Sequence, residues 1–484
     1  MLFNSFEFIF AFLPVVFYIY FLLNKRQYSN AAKIWLILSS LFFYSWWNLK
    51  YLPLILLSVA INYLTGYLLA KSGDSRNKKV ILITGLVFNI GLLGYFKYYD
   101  FFIFNANLIF PSSLKAMSLL LPLGISFFTF TQIAYLVDTY KGIVKDTNFF
   151  NYILFVTFFP HLLAGPIIHH KEMMPQFDDY QKKKINYENI CLGTLLFFIG
   201  LVKKIIIADT FAVYANGGFD DSQILTFLEA WGTSLAYTFQ IYFDFSGYTD
   251  MAIGSALFFN IKLPFNFNSP YKALNIQDFW KRWHMTLSRF LKQYIYIPLG
   301  GNRKNTKRTY VNILAVFLIG GLWHGAGWTF IFWGFLHGVA SILNKIWQKF
   351  NFKMNRVWAW FITFNFINIT WVFFRASDWD NAVKVLKGMF GFSGFSLPLS
   401  LHNKFYFFSN YGVDFTTTDF ISKKLIAIII ISIAFILLLK NSIELTEKFM
   451  INWKYLSLMI FLTSLSLVWM AYFSGKSDFI YYNF

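Results

Sequence analysis

The chain has 484 residues, of which 57% are hydrophobic and 13% charged; a soluble domain carries about 25% charged residues, so lipid is indicated as the solvent, and the three soluble domains that length alone suggests are excluded. The formal charge is +19, but the basic residues stand in short clusters between apolar runs, which suits cytoplasmic membrane loops and argues against a nucleic-acid partner. A single cysteine, Cys191, rules out an intrachain disulfide and reads as a small core residue.

A transmembrane helix needs about 20 mostly apolar residues. In chain order, runs near 6–23, 33–48, 52–70, 79–97, 116–138, 189–208, 226–246, 310–323, 328–344, 357–375, 424–439 and 455–473 predict such helices. The first run lacks a basic leader and a small-residue cleavage site, and is expected to be a retained helix. Two shorter pieces, 150–168 and 283–299, contain Pro, His or several charges. They predict re-entrant or tilted segments, tolerated at membrane depth only where protein or water covers them. The predicted fold is an all-α polytopic membrane protein with one embedded domain over 1–484. The segment 376–423 has no good span, and its Ser, Gly, Asn and Thr among Phe and Tyr predict an external subdomain or lid.

Orientation follows from loop charge. Lys25, Arg26 and Lys33 after the first run, and Lys71, Arg76, Lys78 and Lys79 after the third, mark cytoplasmic loops and place the N-terminus outside. Lys182–Lys184 and the cluster Arg303, Lys304, Lys307 and Arg308 read as cytoplasmic, while 209–223, with Asp209, Asp220 and Asp221 and no Lys or Arg, reads as external. The last run then leads outward from Lys454, so the C-terminal tail is expected outside.

Ionisable residues inside apolar sequence are functional candidates. Four histidines, His161, His284, His324 and His337, lie in such surroundings. His324 sits in GGLWHGAGWTF, where Gly320, Gly321, Gly325 and Gly327 make a poor helix interior and permit close approach. A neutral imidazole there can accept a proton from an attacking hydroxyl. His284 lies in DFWKRWHMTLSRFLKQYIYIPLGG, between Trp280 and Trp283 on one side and Ser288 and Arg289 on the other, with Asp278, Lys281, Arg282 and Lys292 nearby. Aromatic and cationic side chains together suit a phosphorylated, partly apolar cosubstrate, and Arg offers a planar fork to phosphate. In QIYFDFSGYTDMAIG, Asp244 is set among aromatics; if buried it needs a partner, for which Arg282 and His284 are the candidates. His161, after Pro160, reads as structural. No spacing supports a metal or haem ligand set, and no P-loop, G-x-S-x-G or G-x-G-x-x-G is present.

These segments together with LPLGISFFTFTQIAYLVDTYKG (121–142) and FVTFFPHLLAGPI (155–167) resemble, in order, those of the membrane-bound O-acyltransferase family. The resemblance is to its bacterial branch, which O-acetylates alginate or peptidoglycan or D-alanylates teichoic acid. It implies a ring of about 11–14 helices around a thin core crossed by a tunnel, His324 and His284 as the catalytic histidines, and Gln240, Asp244, Tyr248, Asp278, Trp280, Arg282, Trp283, Ser288, Arg289 and Trp323 along the tunnel. The ending FIYYNF (479–484) resembles a tail motif of the same branch, in which the tyrosine, here Tyr481, carries the acyl group; Lys476 stands where the fuller motif has Phe.

The function so implied is transfer of acetyl from cytosolic acetyl-CoA, with no permanently bound cofactor, across a bacterial inner membrane to an SGNH-type periplasmic partner and then to cell-wall glycan. A composition rich in Phe, Ile, Asn and Lys suits an AT-rich genome and favours peptidoglycan over alginate or another exopolysaccharide. A transporter of an acyl donor or glycan is the alternative of another class. It would carry inverted repeats with paired broken helices, which this sequence lacks, and it would release no CoA.

Overall fold

A bilayer core offers backbone amides no water, so each apolar run must satisfy its own hydrogen bonds, and a helix does this within one segment. The computed structural model describes residues 1–110, 113–144, 147–416, 422–473 and 479–480. The main helices, in chain order, are α1 (Leu13–Lys25), α2 (Ser29–Ser45), α3 (Leu52–Lys71), α4 (Ser75–Leu93), α5 (Ile125–Tyr140), α6 (Phe149–Thr157), α7 (His170–Asp178), α8 (Tyr187–Val202), α9 (Phe227–Leu257), α10 (Ile276–Arg282), α11 (Met285–Leu291), α12 (Thr306–His324), α13 (Trp328–Lys349), α14 (Arg356–Arg375), α15 (Trp379–Met389), α16 (Lys423–Leu438) and α17 (Trp453–Tyr472).

Among the described residues, seven helical stretches are long and apolar enough to cross a membrane: Glu7–Lys25, Leu49–Lys71, Ser75–Ile109, Tyr187–Asp221, Trp328–Lys349, Arg356–Arg375 and Trp453–Tyr472. The other five predicted runs also form helices (α2, α5, α9, α12 and α16), but shorter or more polar ones. The run 116–138 differs most from expectation, because α5 starts only at Ile125. Gly124 holds φ +72°, and a Cβ there would stand 3.0 Å from the Leu162 carbonyl oxygen, so the chain turns sharply before the helix begins. Within 376–423 the chain forms α15 and a two-stranded parallel sheet, β1 (Phe395–Pro398) with β2 (Val413–Thr416).

The chain falls into two compact units: Met1–Val202 with Gly247–Asn266 and Thr446–Phe484, and Lys203–Ser246 with Phe267–Leu445. The helix α9 contributes residues to each.

In the first unit, buried amides tie three helices. Asn62 of α3 and Asn89 of α4 exchange side-chain hydrogen bonds of 3.2 and 2.6 Å, and both Asn62 and Ser58 donate to Gln132 of α5, at 3.0 and 2.8 Å. Lys33 of α2 is buried and bonded to Asn151 of α6 (2.7 Å) and to the Asp178 carboxylate of α7. Glycines let α8 meet the last turns of α9 backbone to backbone: a Cβ on Gly200 would stand 2.4 Å from the Gly247 oxygen, and one on Gly254 would stand 2.6 Å from that of Gly193.

In the second unit, Lys204 is buried with its ammonium 2.8 Å from both Asp209 and Asp244. The sequence offered Arg282 or His284 as the partner of Asp244; Lys204 takes that place. It lies at the end of a long apolar run, where only a buried carboxylate can offset the cost of the charge.

Candidate active site

Two helix breaks in the second unit each end in a histidine. The first is a hairpin. Helix α12 stops at His324, Gly325 is extended (φ −156°), and α13 starts at Trp328. The hairpin closes because its arms carry glycine where they touch. A Cβ on Gly321 would stand 2.4 Å from the Phe330 oxygen, one on Gly334 would stand 2.3 Å from the Phe317 oxygen, and one on Gly325 would stand 2.2 Å from the Phe330 ring. Of the four glycines that the sequence marked around His324, Gly321 and Gly325 make these close contacts, whereas a Cβ on Gly320 or Gly327 would meet nothing nearer than 3.4 Å; Gly334 lies outside the marked set.

The second break separates α10 from α11. The chain reverses at His284, which adopts φ +43° and ψ +55°, a left-handed conformation unusual for a residue with a side chain. Strain of this kind costs on the order of 1–3 kcal/mol and collects at functional sites. His284 is fully buried and His324 is 1% exposed.

The two imidazoles share one aromatic chamber. Their ring centroids lie 6.4 Å apart, beyond direct hydrogen-bond reach but close enough for one reacting group to contact both. His324 meets Trp333 edge to face at 5.3 Å and 89°, and Phe374 at 5.1 Å. Phe245 closes on His284 at 4.8 Å and 85°, and Trp323 lies 6.2 Å from His284. Such walls exclude water, which strengthens electrostatic interactions inside, and an imidazole held there can act as a base on a hydroxyl bound within reach. Phe245, Trp333 and Phe374 were not singled out from sequence, where aromatics are too common to distinguish a wall from a core.

The other predicted residues have varied placements. Trp323 stands beside His324, with ring centroids 4.9 Å apart. Arg282 donates to Asp278 (2.8 Å) and to the Asn268 carbonyl (3.2 Å), so part of its guanidinium fork is already engaged. Trp280 donates its indole N–H to His337 at 3.2 Å. Trp283 is 1% exposed and packs on Phe267, Phe279 and Trp371 at 5.0, 5.6 and 5.0 Å. Ser288 and Arg289 are half-buried on α11, where the Ser288 amide donates to the His284 carbonyl at 3.0 Å. Gln240 is buried on α9, four residues before Asp244.

In the first unit, Tyr248 of α9 is stacked on Phe479 at 4.3 Å and 16°, with Phe3 on it at 5.0 Å. Phe479 is 2% exposed, so that residue of the tail is packed into the protein. Tyr481 lies outside the described residues. Burial in the same unit also brings together a cluster the sequence did not suggest: Asp138 with Nδ1 of His169 at 3.8 Å and of His170 at 3.5 Å.

The described residues thus form a polytopic helical protein with two buried imidazoles at helix breaks. The chain belongs to the membrane-bound O-acyltransferase family, whose model matches residues 41–377; it is an acyltransferase and a multi-pass membrane protein. Its relatives narrow this to a membrane O-acetyltransferase. The chain is 49% identical to a peptidoglycan O-acetyltransferase of Helicobacter pylori, over all of this chain and 98% of the other. It is 40% identical to a probable alginate O-acetylase, AlgI, of Pseudomonas aeruginosa, over 82% of this chain and 76% of the other. A teichoic acid D-alanyltransferase of Bacillus subtilis is 30% identical over 51% of this chain and 66% of its own length.

Proposed function

We propose that the chain takes acetyl from cytosolic acetyl-CoA and passes it across the inner membrane for O-acetylation of peptidoglycan, with His324 as the base and Tyr481 as the carrier. The observation that carries the chemistry is the dry chamber holding His324 and His284 with ring centroids 6.4 Å apart. The observation that favours peptidoglycan over alginate is the match along the whole chain to the Helicobacter enzyme, against 82% coverage for AlgI.

His324 accepts the phenolic proton as the Tyr481 oxygen attacks the thioester carbonyl. The new ester bond forms, the C–S bond breaks, and the departing thiolate recovers the proton from His324. An unperturbed phenol has a pKa of about 10 against about 6.5 for imidazole, so proton transfer is concerted with attack. Arg289, and the part of Arg282 not engaged by Asp278, serve the phosphates of the donor. A periplasmic SGNH-type enzyme then moves the acetyl from Tyr481 to a glycan hydroxyl and regenerates the phenol. Support for a carrier near the C-terminus comes from Phe479, two residues before Tyr481 in sequence, which is buried against Tyr248.

The test is to incubate purified protein with acetyl-CoA and weigh the C-terminal peptide, beside a His324→Ala control. An acetyl group on Tyr481 that is absent in the control supports both roles. An unmodified tail with continued CoA release removes Tyr481 from the route and leaves the acyltransferase chemistry intact.

A further inference from the structure

The first unit contains a cavity of about 520 Å³, within the range of small-ligand sites, that the acyl-transfer chemistry does not use. Its walls are α8 and the end of α9. Along α8 the lining residues are Glu188 and Asn189, then Leu192, then Leu196; on the other side they are Asn260, in the turn after α9, and then Leu257 and Ile253 of α9, which runs the opposite way. Polar groups therefore stand at one end and aliphatic ones at the other. From Asn189 to Leu196 the helix rises roughly 10 Å, and this helix begins one of the membrane-crossing stretches. The polar end lies at the start of that stretch and the aliphatic end within it.

The mouth is built in advance. Asn189 donates to Asn260 at 2.9 Å, and Asn260, held at φ +60°, donates to the carbonyls of Lys182 and Lys184 at 2.9 and 2.7 Å. Gln176 pairs with the Lys262 backbone through two 3.0 Å bonds and accepts from the Lys182 ammonium. Four charged side chains line the cavity, Lys182 and Lys262 against Asp179 and Glu188. Two positive and two negative charges cancel, so the mouth complements a head group that bears both signs and not a simple anion.

We infer that this cavity binds a zwitterionic membrane lipid of the phosphatidylethanolamine class, with its phosphate toward Lys182 and Lys262, its ammonium toward Glu188 and Asp179, and an acyl chain along Leu192, Leu196, Ile253 and Leu257. Bound there, the lipid fills the gap between two helices whose direct contact is otherwise made through glycines.

Native mass spectrometry of the full chain tests this. The protein is delipidated in detergent, then titrated with dioleoyl phosphatidylethanolamine, dioleoyl phosphatidylglycerol, oleate or inorganic phosphate. The expected result is one phosphatidylethanolamine per chain, held about tenfold more tightly than phosphatidylglycerol or oleate, a difference of about 1.4 kcal/mol, with no competition from phosphate. Lys262→Gln and Glu188→Gln, at the mouth, should erase the preference, and Leu257→Trp, at the floor, should remove the bound lipid. Thermal unfolding of Leu257→Trp in the same detergent separates a filled groove from a disrupted fold. Equal binding of the two phospholipids, a preference for oleate or displacement by phosphate overturns the assignment. So does wild-type binding in the two mouth variants.

Discussion

Trp280 donates its indole N–H to Nδ1 of His337 across 3.2 Å, and Nε2 of the same ring lies 3.1 Å from the Thr370 hydroxyl. That hydroxyl gives its hydrogen to the Ile367 carbonyl at 2.9 Å, so it accepts from His337. One nitrogen must be bare and the other protonated, which defines a neutral imidazole with both nitrogens satisfied. His337 is thereby occupied in joining α10, α13 and α14. His337→Ala should lower the thermal midpoint in detergent, by an amount that corresponds to about 1–3 kcal/mol, while the folded fraction still releases CoA. Loss of CoA release without loss of stability would move His337 into the reaction.

His324 should show the opposite behaviour. Removal of a general base costs typically 10²–10⁴ in rate, so His324→Ala should reduce acetyl transfer by about that factor and leave the unfolding temperature close to wild type. The paired measurement of CoA release and melting distinguishes the two histidines, both of which are buried and bordered by Trp333.

Lys204 stands between two carboxylates, and its removal leaves them facing each other in the interior. Breaking a buried ion pair from one side costs about 3–5 kcal/mol. Lys204→Met should melt well below wild type, and the double change Lys204→Met with Asp244→Asn should recover part of the loss. If the double variant is no more stable than the single one, Asp244 is not the group that Lys204 neutralises.

The glycine contact of α8 with α9 predicts a steric effect. Gly254→Val places side-chain atoms where a Cβ alone would lie 2.6 Å from the Gly193 oxygen. Overpacking costs about 1–3 kcal/mol, read as a lower melting temperature, whereas Gly73→Val, at a position with nothing within 4 Å, should be close to neutral.

Asp178 supplies a pH dependence. Burial pushes its carboxyl upward, but hydrogen bonds from Lys33 and Asn151 and the charge of Lys33 outweigh that, and its pKa ends below the ordinary carboxylate value. A depressed folded pKa contributes stability that is complete above the unfolded value near about 3.9 and is lost as pH falls through the folded one. Asp178→Asn should therefore melt below wild type at neutral pH, and the gap should narrow below about pH 4. A gap that is constant over that range would show that the carboxylate charge is not what stabilises the contact.

The sequence made the site partly legible. The glycines around His324 were visible as a pattern that makes a poor helix, and the hairpin uses two of them, Gly321 and Gly325, at contacts below 2.5 Å; Gly334, which makes the third such contact, lies beyond that pattern. The reversal at His284 had no such sign, since a lone histidine does not mark a left-handed backbone as a run of glycines does. The late start of α5 was missed because hydropathy does not register a left-handed turn at Gly124. The Lys204–Asp244 pair was missed for a different reason: 40 residues separate the partners, and charge alone does not say which buried carboxylate meets which ammonium. The amide clasp of Asn62, Asn89 and Gln132 escaped notice because such residues look only mildly polar until their neighbours are known.

Helix α12 begins beside the basic cluster Arg303, Lys304, Lys307 and Arg308 and ends at His324. At 1.5 Å per residue that interval is about 27 Å, close to the thickness of a bilayer's hydrocarbon layer at about 30 Å. The helix thus joins an exposed cationic end to a buried imidazole across nearly the depth of an apolar layer. If the proposed function holds, a donor that approaches from the cationic end must span that distance to bring its thioester to His324. A long, slender arm can do so and a compact activated acid cannot, so the length of the donor would be tested before its reactivity.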